Sequence, residues 1–226
     1  MSHHCLISGP GRAGTTFLVI VLTRLGVYTG FTRETATNDN IARAGLEHTT
    51  IEATSPYLIK NPWLCGRIDA LIERDPGLVI DCALVPVRDL KAAAESRADV
   101  QERTTGSRSG VGVVGGLWFT TDPSAQEAIL RQQLSLLIES LARHDIPLTL
   151  LWYPRLVRDP KYLYEKLKFL LPDTSFEQFE RVFSEVARPD WVHQFSPADV
   201  EGTRRSVSPQ PGQTEPASPR HWTLFR

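Results

Sequence analysis

Cysteine is scarce in this chain of 226 residues, which has only Cys5, Cys65 and Cys82. Three thiols cannot all form disulfides within the chain, and neither a Cys-x-x-Cys nor a His-Glu-x-x-His motif occurs. These absences exclude a disulfide framework and the common zinc motifs. The neighbouring His3 and His4 are typical of an incidental pair near a chain terminus rather than of metal ligands, so we expect no metal.

Long apolar runs and an excess of either charge are also missing. The longest apolar run near the start, residues 17–22, is too short to cross a bilayer, and the first residues lack the charged start and cleavage site of a secretory peptide. The 25 Lys and Arg residues nearly balance the 26 Asp and Glu residues, so no general basic field favours nucleic acid. We therefore expect a cytoplasmic protein that binds neither membrane nor nucleic acid, and whose anion sites are local.

A glycine-rich turn lies between a short apolar strand and an apolar helix near the start of the chain. Its residues are Gly9, Pro10, Gly11, Arg12, Ala13, Gly14, Thr15 and Thr16. The spacing matches the nucleotide-binding P-loop, except that Thr15 stands where a Lys is expected. Glycines let the backbone N–H groups turn toward one anion at the start of the helix. The turn predicts a phosphate cradle with Arg12 as its cation, while the missing Lys argues against ordinary ATP or GTP hydrolysis.

Strand-like and helical patterns alternate along the chain. The strand-like runs are residues 5–8, 57–60, 83–87 and 147–153, and the clearest helical patterns are residues 62–74 and 123–143. Such alternation is typical of βαβ units. We predict an α/β, three-layer, P-loop NTPase-like fold with a central parallel sheet of about five strands flanked by helices. Residues 1–201 would form this domain, as a monomer or homodimer, and residues 202–226 a Pro- and Ser-rich tail.

Local signals predict where helices begin. A polar residue followed by Pro marks three starts, at Asn61-Pro62, Asp122-Pro123 and Asp159-Pro160. Thr174 with Glu177 predicts a capping box for the last helix. The segment 103–121 contains five glycines and is too long for a simple connector, so we expect it to be a lid or a binding loop.

A second motif follows the strand at residues 83–87. Arg88 ends this strand, and Ser96 lies eight residues later in the next helix. Together with the Gly-Thr-Thr loop and its basic residue two positions before the Gly, this motif resembles the cytosolic and carbohydrate sulfotransferases. These enzymes use 3′-phosphoadenosine-5′-phosphosulfate (PAPS). Residues 148–171 are similar to the late strand, loop and helix of that family, so the resemblance covers pieces of residues 5–171.

The resemblance implies a role for each motif. PAPS has two separated anionic ends, so the loop would bind the 5′-phosphosulfate, and Arg88 with Ser96 would bind the 3′-phosphate. The implied cofactor-binding loop residues are Gly11, Arg12, Ala13, Gly14, Thr15, Thr16 and Phe17. Phe17 stands where some family members place an aromatic residue against adenine, although a core Phe is the competing interpretation. Lys60 matches a family Lys that reaches the phosphosulfate, with Arg12 as the second catalytic cation, and no metal is required.

The resemblance also implies a proton acceptor, which differs between branches of the family. The cytosolic type has a catalytic His two residues after the Lys, where this chain has Pro62. The carbohydrate and tyrosyl-protein types use a Glu instead, and Glu34 lies 20 residues after Gly14, at the family's distance from the loop. The resemblance therefore implies Glu34 as the base for the acceptor hydroxyl. Lesser candidates are Asp39, Glu47 and His48.

The motifs together predict transfer of a sulfuryl group from PAPS to a hydroxyl of a small-molecule or carbohydrate acceptor, by in-line displacement and without metal. One alternative is a P-loop kinase or NTPase with a degenerate loop, because the apolar run 78–80 followed by Asp81 resembles the strand and Asp that hold Mg²⁺ in such proteins. A second alternative is a non-catalytic nucleotide-binding protein. The acceptor pocket would be formed by the segments 31–56 and 103–121, with the C-terminal tail as a further candidate.

Overall fold

Four parallel strands form the sheet in the computed structural model, which describes residues 1–37 and 44–188. The strands are β1 (Ser2–Ile7), β2 (Leu58–Lys60), β3 (Leu78–Val87) and β4 (Leu148–Trp152), in the order β2-β1-β3-β4. The α/β class and the parallel sheet are confirmed, but the described residues supply four strands rather than about five. The described residues between the first helix and β2, 25–37 and 44–57, are irregular because their sequence is polar and has few adjacent apolar residues. The predicted tail and Asp39 lie outside the described residues.

The strand order creates a crevice at the carboxyl ends of the two central strands, β1 and β3. The chain leaves β1 toward β2 on one side, whereas it leaves β3 toward β4 on the other side. In open parallel sheets, ligands bind where such connections diverge, just beyond the carboxyl ends of the strands. The P-loop follows β1 and Arg88 follows β3, so both predicted anion motifs lie at this crevice.

Six α-helices are present in the described residues. They are α1 (Thr15–Arg24), α2 (Ile68–Arg74), α3 (Leu90–Thr105), α4 (Gln126–Arg143), α5 (Pro160–Leu167) and α6 (Phe176–Val186). The two helices predicted over residues 62–74 and 123–143 each begin with a 3₁₀ turn, at Pro62–Gly66 and Pro123–Ala125. None of the helices in the described part of the chain combines the length and apolarity needed to cross a bilayer.

The sheet is covered on both faces, which gives three layers. Successive strand residues point to opposite faces: Cys5 and Ile7 pack with α1, α5 and α6, while Leu6 between them packs with α2, α3 and α4. The first helix layer contributes Leu18, Leu22, Leu163, Leu167, Phe179 and Phe183, and the second contributes Ile68, Leu71, Ala93, Leu130, Leu137 and Leu141. The predicted three-layer arrangement is therefore confirmed.

The three predicted helix starts are confirmed by side-chain caps. Asn61, Asp122 and Asp159 each accept a hydrogen bond from a backbone N–H in the first turn that follows. The predicted capping box is wrong by one residue, because Ser175 is the N-cap of α6 and Gln178 completes the box. Ser175 takes extended backbone and α6 begins at Phe176, which places Gln178 rather than Glu177 three residues into the helix.

Candidate anion-binding site

The P-loop has the backbone that a phosphate cradle requires. Gly9, Gly11, Arg12 and Gly14 all have positive φ, at 138°, 75°, 59° and 85°. A Cβ on Gly14 would lie 2.9 Å from Cδ1 of Leu156, so both conformation and space require glycine there. Gly14 is also the N-cap of α1 and offers no side chain to the first turn. The start of this ten-residue helix is therefore open to an anionic partner.

The second motif lies directly against this loop. Nε of Arg12 donates a hydrogen bond to Oγ of Ser96 at 3.1 Å, and Arg88 donates to the carbonyl oxygen of Arg12 at 3.2 Å. The Arg88 guanidinium also lies over the ring of Tyr153, 4.7 Å from its centroid. The structure thus brings together two motifs that are about 80 residues apart in the chain.

Lys60 supplies a buried cation to the loop from the end of β2. Its Nζ donates to Oγ1 of Thr16 and to Oε1 of Glu47, both at 2.8 Å, and to the carbonyl oxygen of Gly45. Only 3% of its side chain is exposed, and this burial lowers the pKa of Lys60, while Glu47 acts in the opposite direction. Lys60 is therefore fixed beside Thr16 rather than extended into solvent.

A cavity of about 710 Å³ joins these groups. Its cationic lining residues are Arg12, Arg24, Lys60, Arg88, Arg97 and Arg188, and its acidic ones, among the described residues, are Glu47 and Glu185. The excess of cations favours an anionic ligand. Residues 112–115 and 117–118 of the glycine-rich segment also line the cavity, whereas residues 103–105, predicted to belong to that segment, form the last turn of α3.

Most of the predicted binding residues line this cavity. They are Gly11, Arg12, Gly14, Thr15, Thr16, Phe17, Lys60, Arg88 and Ser96. Ala13 does not line it, because its side chain packs in the core cluster of α1, α5 and α6. Phe17 lies at the boundary between the cavity and the core: it lines the cavity, and its ring lies edge-on to Phe183, with centroids 5.5 Å apart.

Glu34 is not brought to the cavity. It lies on an exposed turn, where a hydrogen bond with Thr32 is the main cause that lowers the pKa of Glu34. Glu47, a lesser candidate in the sequence, lines the cavity and contacts Lys60. His48 has a positioning role, because Nδ1 accepts from the backbone N–H of Lys60 and Nε2 lies 3.0 Å from the Thr29 carbonyl oxygen.

Asp81, the feature that favoured a kinase, lies far from the P-loop. It is near the amino end of β3 and is hydrogen-bonded to His3, with Nδ1 and Oδ1 2.7 Å apart. It lies six positions before Val87, which is about 20 Å along an extended strand. Asp81 therefore does not reach the cavity. Within residues 1–37 and 44–188, no group of three or more His, Cys, Asp and Glu residues could hold a metal ion.

Sequence reasoning missed Arg97, which lines the cavity and is buried. An Arg beside Ser96 in a helix is ordinarily a surface residue, since neighbouring helix positions point in different directions. The signal that could have indicated otherwise is the alanine run 92–94. Small side chains let α3 approach the sheet and the P-loop closely, and all three alanines are buried.

No protein-family model matches this chain, and no curated protein sequence is significantly similar to it. The resemblance to PAPS-dependent sulfotransferases therefore depends on the motif residues of the sequence alone.

Proposed function

We propose that this protein is a PAPS-dependent sulfotransferase that acts without metal on a hydroxyl of a small-molecule or carbohydrate acceptor. The observation that carries the proposal is the direct contact of the P-loop with Arg88 and Ser96 inside one cation-rich cavity. A ligand with two anionic groups on one nucleoside matches this pair of motifs better than a nucleotide with a single phosphate chain. The cavity volume is within the usual range for small-ligand sites.

In the proposed reaction, an acceptor oxygen forms a bond to sulfur while the bond from sulfur to the bridging oxygen of PAPS breaks. Negative charge then develops on the departing 5′-phosphate. Arg12 in the loop and Lys60 beside it are the cations, Thr15 adds a hydroxyl donor, and the Thr16 hydroxyl accepts from Lys60 and so holds that cation at the loop. Fixed donors of this kind stabilise the developing charge without a metal ion.

We place the proton acceptor at Glu47 rather than at Glu34, the residue implied by the family resemblance. Both carboxylates that line the cavity in the described residues are ion-paired, Glu185 with Arg24 and Arg33, and Glu47 with Lys60. Glu47 is the one whose partner also contacts Thr16 of the P-loop, and 19% of its side chain is exposed, so it is accessible from the cavity. A general base must reach the proton that it removes, and Glu47 satisfies this requirement better than Glu34.

The location in the cytoplasm is part of the same proposal. All three cysteines are unpaired and buried. Reduced thiols are typical of proteins in reducing compartments.

The proposal predicts that Arg88→Ala weakens binding of 3′-phosphoadenosine-5′-phosphate (PAP) about tenfold more than binding of ADP, because only PAP carries a 3′-phosphate for a charge-assisted bond. Calorimetry on both ligands measures this. The matched control is Arg103→Ala, since Arg103 is on the outer part of α3 and pairs with Asp99. Equal losses of affinity for PAP and ADP would contradict a 3′-phosphate site.

Tight PAP binding with no sulfuryl transfer to phenol, sugar and small-alcohol acceptors would instead indicate a non-catalytic nucleotide-binding protein.

A further inference from the structure

Arg97 is a buried cation that holds two segments of the cavity wall together. Its guanidinium donates to the carbonyl oxygen of Pro10 in the P-loop at 2.6 Å and to that of Gly116 in the glycine-rich segment at 2.7 Å. The same group lies over the ring of Trp118, 4.9 Å from its centroid. A Cβ on Gly11 would lie 2.7 Å from Nη2 of Arg97, so the loop approaches Arg97 as closely as a glycine permits.

The charge of Arg97 has no acidic partner in the described residues. Its hydrogen bonds go to two neutral carbonyl groups, and its Nε is buried without any hydrogen-bond partner. Burial, and to a smaller extent the charge of Arg12, lowers the pKa of Arg97 to about 9, so the guanidinium is protonated at neutral pH. A buried charge without a counter-ion is costly, and a second cation nearby increases that cost.

A ligand is the natural source of the missing negative charge. Arg97 lines the cavity together with Arg12, Arg88 and Lys60, and it contacts the backbone of the loop at Pro10. An anion held by the N–H groups of the loop would therefore lie close to a guanidinium that has no acidic partner in residues 1–37 and 44–188, in a partly dehydrated site. Electrostatic attraction is stronger there than at an exposed surface.

The segment that Arg97 holds is attached to α3 by a second side chain. Gln101, one turn further along the helix, accepts from the backbone N–H groups of Val113 and Leu117 and donates to the carbonyl oxygen of Val111. Residues 111–118 are thus fixed over the cavity by two buried residues of one helix.

We propose that Arg97 is a positioning residue with two effects: it fixes residues 112–118 against the P-loop, and its charge is balanced by the anion bound in that loop. The inference deepens the proposed function. It depends on an anionic group in the P-loop, but it does not depend on a 3′-phosphate or on sulfuryl transfer.

The test compares Arg97→Met, which removes the charge, with Arg97→Lys, which keeps the charge but loses the planar fork to the two carbonyl groups. Arg103→Met is the control on the same helix. Binding of inorganic pyrophosphate and of PAP is measured by calorimetry, and hydrogen exchange of residues 111–118 is measured without ligand.

We expect both Arg97 variants to speed hydrogen exchange in residues 111–118, because each loses the bond to Gly116. We expect Arg97→Met to weaken pyrophosphate binding about tenfold, because the charge that attracts the anion is lost. Arg97→Lys should weaken pyrophosphate binding by no more than about threefold, because the charge remains and charge-assisted interactions are roughly twice as strong as neutral ones. Arg103→Met should change neither quantity. This pattern separates the charge of Arg97 from its structural role.

Equal pyrophosphate affinity in the Met and Lys variants would show that Arg97 is structural only, and would overturn the charge part of the inference. Unchanged hydrogen exchange in both variants would overturn the positioning part, and a wild type that fails to bind pyrophosphate would overturn the charge part. If Arg97→Met does not fold, Arg97→Gln replaces it as the neutral variant. Pyrophosphate binding that follows the expected pattern, combined with no preference for PAP over ADP, would leave this inference standing while removing the proposed sulfotransferase function.

Discussion

Lys60 supplies the cation that the P-loop lacks at Thr15. The two residues are on different elements, since Lys60 ends β2 and Thr15 begins α1. The hydrogen bond from Lys60 to Thr16 nevertheless places an ammonium group at the start of α1. The cost of burying this ammonium is offset by Glu47 and by the Gly45 carbonyl oxygen. The missing loop Lys therefore does not leave the loop without positive charge.

Glu47→Gln tests which carboxylate takes the proton. We expect sulfuryl transfer to fall about a hundredfold or more, the usual contribution of a general base, because an amide cannot accept the proton. The measurement is the initial rate of transfer to the best acceptor in a screen of phenols, sugars and small alcohols, with PAP affinity followed in parallel.

The matched control is Glu34→Gln. Its effect on the rate should stay within about threefold, as is usual for an exposed carboxylate outside the cavity. The opposite result, with Glu34→Gln inactive and Glu47→Gln active, would contradict the structural placement and support the residue implied by the resemblance.

At the scale of elements, the turn between β3 and α3 positions the two residues of the second anion motif, Arg88 and Ser96. Asp89 caps the helix by accepting from the backbone N–H of Ala92 at 2.8 Å. Because β3 ends at Val87 and α3 begins at Leu90, Arg88 lies at the corner between them, beside the P-loop. Ser96 and Arg97 lie on the part of α3 that meets the loop. The short turn at residues 88–89 therefore positions Arg88, Ser96 and Arg97 beside the P-loop.

A charged cluster joins α2 to α4 away from the cavity. Asp69 accepts hydrogen bonds from Ser140 and Arg143, and its carboxylate lies 2.8 Å from Nε2 of His144. Slight burial acts to raise the pKa of Asp69, but the bonds from His144, Arg143 and Ser140 outweigh it and lower the pKa below its ordinary value of 3.8. The cluster links two helices that cover the same face of the sheet.

Asp69→Asn should lower the thermal unfolding midpoint at pH 7 by about 1–3 °C, the range for a partly exposed ion pair. Because the pKa of Asp69 is lowered in the folded state, its contribution is present above pH about 4 and is lost as the pH falls below that value. The difference between wild type and variant should therefore shrink as the pH falls below about 4. Thermal unfolding followed by circular dichroism measures both quantities.

Glu127→Gln serves as the control, because Glu127 pairs with Arg131 within α4 and forms no ion pair with another element of the described residues. Its effect should be smaller than that of Asp69→Asn at pH 7. A difference in unfolding midpoint between wild type and Asp69→Asn that stays constant down to pH 2 would contradict the lowered pKa of Asp69.

At the scale of the whole molecule, the strand order and the charge distribution favour the same ligand-binding site. The net charge of the chain is −1, yet the cavity at the crevice between β1 and β3 is lined by six cations and two carboxylates among the described residues. A nearly neutral protein therefore concentrates positive field at the site where open parallel sheets bind ligands. The alternative of a kinase needs an acidic metal ligand there, and Asp81 is at the other end of β3.

PAP should stabilise the whole domain without metal. At a PAP concentration of about one hundred times the dissociation constant, ligand linkage predicts a rise in the unfolding midpoint of about 5–10 °C for a domain of this size. The rise should be the same with and without EDTA, and larger than that caused by Mg-ATP at equal concentration. A larger shift with Mg-ATP that disappears in EDTA would instead favour the kinase or NTPase.

Local features of the sequence determined the P-loop, the helix starts and the layered α/β fold. Positive φ at Gly11 and Gly14, and the caps at Asn61 and Asp159, depend on residues only a few positions apart, so short patterns reveal them. Such patterns locate a helix start to within about one residue: the predicted capping box began at Thr174, whereas the N-cap is Ser175.

The tertiary structure alone decided which charged side chains meet in the cavity. Lys60 reaches Thr16, Glu47 reaches Lys60 and Arg97 reaches Pro10 across 13 to 87 positions of sequence. Glu34 has the family's spacing from the P-loop but stays outside the cavity, because spacing does not fix the direction of an irregular segment. The burial that shifts the pKa values of Lys60 and Arg97 exists only once distant elements pack together.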